Sequence, residues 1–294
     1  MKTPEDAAAQ PAPEQLEVPD DANDLRGFHF KRLLRKPLTW ILIVALAILV
    51  GGGLAAVIGP AIGGAGFVVA LLVGIVIVFA IADSKAADAF FEVYAQQRGM
   101  SQVHGRGKLP PATPLLRKGD DRYTERTLLG PLAGGPEGTL ALYTYEEEST
   151  DSDGNRETSY YRYTVGLLEV PECVDQVPEL YCQRKFGLRA LERFEDVFRR
   201  SKERVKLESE VLDEKYEIFA GSSQDEVWLR RLFAPTFIVW LTDSAPKKFA
   251  FELVNGTLCC YVNGHKEDAE ELDGLAAATV TVAKRLRDES GETS

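Results

Sequence analysis

The sequence predicts an α+β protein: an N-terminal transmembrane helical hairpin, then a soluble domain of mainly antiparallel sheet and amphipathic helices. Three observations lead there. Residues 38–82 carry no charge, and Gly59-Pro60 divides them into two apolar runs. Beyond them, strand-like and helix-like stretches lack the regular alternation of a parallel βαβ fold. Near the end, two apolar strands flank Asn255-Gly256, a pair that readily adopts the positive φ angles of a two-residue hairpin turn.

Residues 1–25 read as an acidic tail. Through Phe30 the chain holds seven acids against two bases, with Pro4, Pro11, Pro13 and Pro19 among them. Such a stretch buries too little to offset its ordering entropy, so disorder is expected. Residues 26–37 are basic and juxtamembrane. Arg26, Lys31, Arg32, Arg35 and Lys36 stand among Phe28, Phe30, Leu33 and Leu34, a mixture suited to anionic lipid headgroups. The same bases also set topology.

Residues 38–83 are the expected transmembrane hairpin. Leu38–Ile58 is an uncharged run of 21 residues. At ~1.5 Å per residue it reaches about 30 Å, the thickness of a hydrocarbon core. Ala61–Ala82 returns across the same bilayer. The run is too long, and its start too acidic, for a signal peptide. A buried soluble hairpin fails because 45 consecutive uncharged residues offer no polar face to water. Bases flank the hairpin on both outer sides while the turn has none, which places both termini and the soluble domain in the cytoplasm. Small residues recur every four positions, at Ala47, Gly51, Ala55 and Gly59 and at Gly66, Ala70 and Gly74. These faces are expected to pack on each other or on a second copy, making a homo-oligomer. With no ionisable group inside either helix, a proton or ion path through them is not expected.

Residues 84–118 read as a helix leaving the membrane, to about Gly105, and a connection carrying Pro110, Pro111 and Pro114. Residues 119–294 are the soluble α+β domain. Strands are expected at Arg122–Leu129, Thr139–Tyr145, Tyr160–Val170, Glu179–Arg184, Val205–Val211 and Tyr216–Ala220. An amphipathic helix is expected over residues 188–198, where Leu188, Leu191, Phe194, Val197 and Phe198 share a face. Ser223 and Glu226 have capping-box spacing and open a helix through Phe233. Pro235 sits in the first turn of the next. The hairpin Phe249–Val262 and a helix over residues 267–287 follow.

Chemistry is sparse. The domain is acidic, with 22 bases against 35 acids from residue 119, which disfavours nucleic acid because phosphate binding needs clustered bases. Cys173, Cys182, Cys259 and Cys260 suggest no disulfide framework and are expected as buried free thiols. Cys259 and Cys260 point to opposite faces of a strand and cannot share a metal, even beside His265. His29, His104 and His265 have no recognised partner spacing. Ser149–Glu157 lacks the ligand spacing of a calcium loop and reads as a polar hairpin tip. Tyr216, Phe219, Phe233, Pro235 and Trp240 lie at strand or helix spacing and read as core rather than pocket. No catalytic, metal or cofactor-binding residue is assigned, and no cofactor is expected.

The run Val205–Leu241, VKLESEVLDEKYEIFAGSSQDEVWLRRLFAPTFIVWL, resembles the hallmark segment of a family of bacterial membrane proteins catalogued only as a domain of unknown function. The resemblance rests on a strand ending in Leu-Glu-Ser, a Tyr–Phe strand at Tyr216 and Phe219, and a helix broken at Pro235. It implies two close transmembrane helices, a soluble α+β domain and a bacterial plasma-membrane setting, and it carries over no functional residues.

The expected role is a membrane-anchored cytoplasmic binding or scaffold module for a protein or small-molecule ligand. The alternatives are a membrane-surface enzyme and an accessory subunit of a transport complex. An enzyme would need a nucleophile, base or metal set. Transport is disfavoured by the charge-free helices.

Overall fold

The structure, a computed structural model, describes residues 31, 37–150, 154–185, 202–221 and 224–291. The chain divides into two compact units, Met1–Phe90 and Phe91–Ser294. The first contains α1 (Pro37–Val57) and most of α2 (Pro60–Gln97), and both helices are long and apolar enough to span a membrane. Gly59, at φ +129°, makes the turn between them. Pro60 opens α2 at a position where its missing N–H costs nothing. Outward-facing side chains such as Leu49 and Val57 are 73% and 84% exposed, an apolar surface suited to lipid rather than water.

The second unit is a nine-stranded antiparallel sheet with interspersed helices. Its strands are β1 (Ser101–Val103), β2 (Asp121–Pro131), β3 (Glu137–Thr150), β4 (Arg156–Glu169), β5 (Glu179–Arg184), β6 (Lys202–Val205), β7 (Tyr216–Gly221), β8 (Ala250–Val254) and β9 (Thr257–Asn263). Their order across the sheet is β1-β2-β3-β4-β9-β8-β5-β7-β6. The β8–β9 hairpin turns at Asn255 and Gly256, with φ +47° and +81°, and links two halves of the sheet: β9 pairs with β4, and β8 with β5. The short helices are α3 (Pro114–Arg117), α4 (Glu210–Lys215), α5 (Glu226–Leu232) and α6 (Pro235–Val239), and the chain's long closing helix is α7 (Ala269–Gly291).

Strand alternation sends apolar side chains to two faces. On one, Gly166 lets α7 approach: a Cβ there would lie 2.4 Å from Thr279 Oγ1. On the other, Tyr143, Tyr145, Tyr163, Cys259 and Tyr261 form a buried cluster with Leu115 and Leu116 from the α3 segment. The fully buried Glu252 shares this face, directly opposite Cys259, and accepts a hydrogen bond from the Leu115 amide at 2.9 Å. Within the second unit, Tyr94 in the last turn of α2 and Arg98 just after it are held by Asp273 of α7. Asp273 accepts from the Tyr94 hydroxyl at 2.8 Å and from two nitrogens of Arg98, each at 2.5 Å.

Several elements depart from the sequence expectation. The helix out of the hairpin stops at Gln97, and residues 101–103 form edge strand β1 instead. Of the expected strand Val205–Val211, only Val205 is strand, at the end of β6, and Glu210 already opens α4. The alternation is broken because the Ser209 hydroxyl caps α4, accepting from Leu212 N, while Val211 is 51% exposed. Helix α5 is capped by Asp225, whose carboxylate accepts from Val227 N, and Ser223 lies outside the described residues. Phe219 is half-buried rather than core; Tyr216, Ile218 and Ala220 face the other side of β7 and are buried. The amphipathic stretch 188–198 and residues 151–153 of the hairpin tip lie outside the described residues.

Candidate functional site

A groove of about 570 Å³ runs along α7. One wall comes from the segment after α6. There Trp240–Ser244 forms a single π-turn, closed by a hydrogen bond from Ala245 N to Trp240 O at 2.8 Å. The Trp240 ring is held by two neighbours. It stacks on Phe237 at 5.5 Å and 9°, and meets Phe249 edge-on at 5.8 Å and 79°. The turn Pro246–Phe249 then brings Lys247 to the rim, with Lys248 at φ +61°. The floor is α7 itself, at Gly274, Ala277, Ala278 and Thr281. Lys266, Glu270 and Glu271 complete the lining, and the Lys266 ammonium pairs with Glu271 at 2.6 Å.

Three locally unfavourable choices meet around this groove. A glycine inside a helix costs about 1 kcal/mol relative to alanine. A Cβ at Gly274 would have no atom within 4 Å, so no internal contact demands it. A left-handed residue other than glycine costs roughly 1–2 kcal/mol, and Lys248 is one. A π-turn interrupts regular helical bonding and is found frequently at functional sites. The lining offers an indole, two ammonium groups and two carboxylates. Such groups can hold a ligand by stacking and charge; the hydroxyls of the lining, Ser244 and Thr281, have no imidazole beside them among the described lining residues.

A second constellation lies beside the middle of β3. The register of β2 against β3 shifts between Thr124 and Arg126, so Glu125 sits in a bulge. Its carboxylate lies 3.8 Å from Nδ1 of His265, whose Nε2 lies 3.2 Å from both Thr144 Oγ1 and the Tyr143 carbonyl. The order carboxylate, imidazole, hydroxyl resembles a nucleophilic triad, but the geometry refuses that chemistry. Thr144 is fully buried. A carbonyl can only accept, so Nε2 carries its proton towards Tyr143 and cannot serve as base to Thr144.

Burial disfavours the thiolate and phenolate forms of the buried cysteines and tyrosines. All four cysteines are free and buried, and burial pushes the Cys182 and Cys260 thiols far above their ordinary range. Burial likewise raises the Tyr163 hydroxyl to about 12, with a hydrogen bond to Tyr145 opposing. Among the described residues, no three His, Cys, Asp or Glu side chains come together as a metal site.

Arg26, Arg32, Arg35 and Lys36 lie outside the described residues, and Lys31 is exposed. In the hairpin, Ala47 and Gly51 are buried, and a Cβ at Gly51 would lie 2.7 Å from the Phe67 Cβ. Ala55 faces Gly63, where an added Cβ would fall 2.4 Å from the Ala55 Cβ. Gly66 faces Leu54, Gly74 faces Ile43, and Ala70 is half-buried. Gly59 is in the turn, in open space. Gly63, absent from the four-residue pattern read in the sequence, is thus one of the closest approaches.

The groove was not read from the sequence. Its signal there is an unexplained glycine at position 274, inside a helix pattern. Trp240, read as core, is a half-buried groove wall, and Pro235 is exposed, while Tyr216 and Phe233 are buried. His104 is exposed and His29 lies outside the described residues. No protein-family profile, curated protein or solved structure matches the chain.

Proposed function

We propose that the protein is a membrane-anchored binding module whose ligand occupies the groove between Trp240 and α7. The observation that carries this reading is that Gly274 and the π-turn line one groove, with left-handed Lys248 next to the lining residue Lys247. Natural sequences give up local stability in this way mainly where function requires it. The uncharged, lipid-suited hairpin supports an anchor. The flanking bases support a cytoplasmic domain, and the layout of the resembled family supports a bacterial plasma membrane.

The experiment is site-specific photocrosslinking in cells expressing the full chain. A photoreactive residue at Ala277, exposed on the groove floor, is compared with one at Val227, exposed on α5. A discrete adduct at Ala277, lost when Gly274→Leu fills the groove, supports the reading. Equal labelling at both positions, or none at Ala277, overturns it. A periplasmic reporter fused after Ser294 tests the topology: activity there refutes a cytoplasmic domain.

A further inference from the structure

The loop Gly264–Asp268, between β9 and α7, is fastened at several points, one of them the Gly264 amide, which donates to the Arg162 carbonyl at 2.8 Å. The Thr164 hydroxyl donates to Gly264 O at 2.9 Å and accepts from Lys266 N at 2.8 Å. Asp268 caps α7, accepting from Glu271 N at 3.0 Å. A further point is His265, its side chain only 11% exposed. We propose that His265 is an acid-sensitive latch: neutral, it seats the loop against the β2 bulge and β3, and protonated, it releases the loop.

The geometry fixes the proton bookkeeping. The Nε2–H points to the Tyr143 carbonyl and the Thr144 hydroxyl, so the neutral ring leaves Nδ1 bare. A second proton would have to enter at Nδ1. Facing it is Glu125 from β2, 3.8 Å away and beyond hydrogen-bonding distance; the other charged side chain acting on the ring is Arg162 from β4. On its own loop, Lys266 is turned to Glu271. Burial opposes the imidazolium and Arg162 adds to that; Glu125 and the Tyr143 carbonyl favour it; the balance holds His265 below the ordinary histidine value. A released loop returns the ring to water and to that ordinary value, near 6.5. As pH falls through about 6.5, the open form therefore takes up a proton that the closed form declines. Opening rises until the closed form's own pKa is reached, by at most about tenfold per pH unit, the slope for one proton.

The consequence for the groove rests on the binding reading above. Lys266 and the start of α7 line the groove, so release of the loop would loosen that wall on acidification.

The test uses hydrogen exchange of the full chain in detergent between pH 7.5 and 5, corrected for intrinsic rates. Amides of residues 264–268 should lose protection below about pH 6.5. His265→Gln, which keeps a donor for Tyr143, should abolish that loss. Glu125→Gln should extend it to lower pH, because the favouring carboxylate is gone. Equal acid sensitivity in His265→Gln overturns the latch. So does an NMR titration placing His265 at or above the ordinary histidine value, a measurement that stands even if the variant fails to fold. Neither readout needs a ligand, so failure of the latch is distinct from failure of the groove, which the Ala277 crosslink at pH 7.5 decides.

Discussion

Gly166→Ala tests how closely the sheet and α7 are fitted. The added methyl would sit 2.4 Å from Thr279 Oγ1, 3.3 Å from its Cβ and 3.5 Å from its Cγ2. Carbon and oxygen do not approach to 2.4 Å, so helix and strand must part by roughly 1 Å, and overpacking of that kind costs about 1–3 kcal/mol. Replacing glycine by alanine in a strand returns about 0.5–1 kcal/mol of backbone entropy. The net expectation is a loss of about 1–2 kcal/mol. Thr279→Ala removes the offending oxygen. It also removes the hydroxyl's own bond to Leu275 O and its contact with the Cys260 thiol, a weak hydrogen-bonding partner. The double variant should therefore recover most of the loss, a coupling of about 1 kcal/mol or more. Chemical denaturation of the full chain in detergent, followed by tryptophan fluorescence, reads all four corners of the cycle. Additive single effects would refute the argument, because they would mean that the methyl and the hydroxyl never meet.

Three further outcomes are expected. Gly51→Leu should force α1 and α2 apart, since even a Cβ there lies 2.9 Å from the Gly63 carbonyl oxygen; unchanged thermal stability in detergent would show that the faces do not touch. Asp273→Ala should cost about 1 kcal/mol, discounted for the partial exposure of the Arg98 pair. Burial pushes the Asp273 carboxyl up, but hydrogen bonds from Arg98 and Tyr94 outweigh it and hold the group below its ordinary value. Its contribution is therefore present above about pH 4 and lost as pH falls through the folded pKa, and the variant should lack that acid-side loss in a melting series. All four cysteines should alkylate only after denaturation, each as a single free thiol by mass spectrometry; a bridge or fast native labelling would contradict their burial.

Much of the architecture was legible because it rests on local signals. Gly59-Pro60, the uncharged runs and Asn255-Gly256 each act within a few residues, and the structure places turns at both pairs. Local signals also misled. Val205, Leu207, Ser209 and Val211 alternate like a strand, yet Val211 is exposed and Ser209 spends its hydroxyl on a cap. Strand β1 is three residues of mixed polarity, held by its ladder to β2 rather than by any pattern of its own. The sites were illegible for a different reason. Glu125 and His265 are far apart in sequence, and the β2 bulge that faces them together has no signature. The groove needs Trp240 turned outward by a π-turn, and no periodicity announces one.

The place of the β8–β9 hairpin has a consequence for how the domain is made. Strands β1–β4 form one ladder and β5, β7 and β6 another, and no described strand joins them until β8 and β9 insert between. During synthesis the nascent chain must therefore carry two unfinished sheets. The bare edge of β4 shows Leu167 and Leu168, and that of β5 shows Leu180 and Cys182. From Gly221, where β7 completes the second ladder, to Asn263 is about 40 residues, or roughly 2–8 s of translation. For that interval each edge is a template for any passing strand, including the matching edge of a neighbouring nascent chain. Yield of the folded protein should depend on how quickly, and how far from its siblings, each copy reaches Asn263.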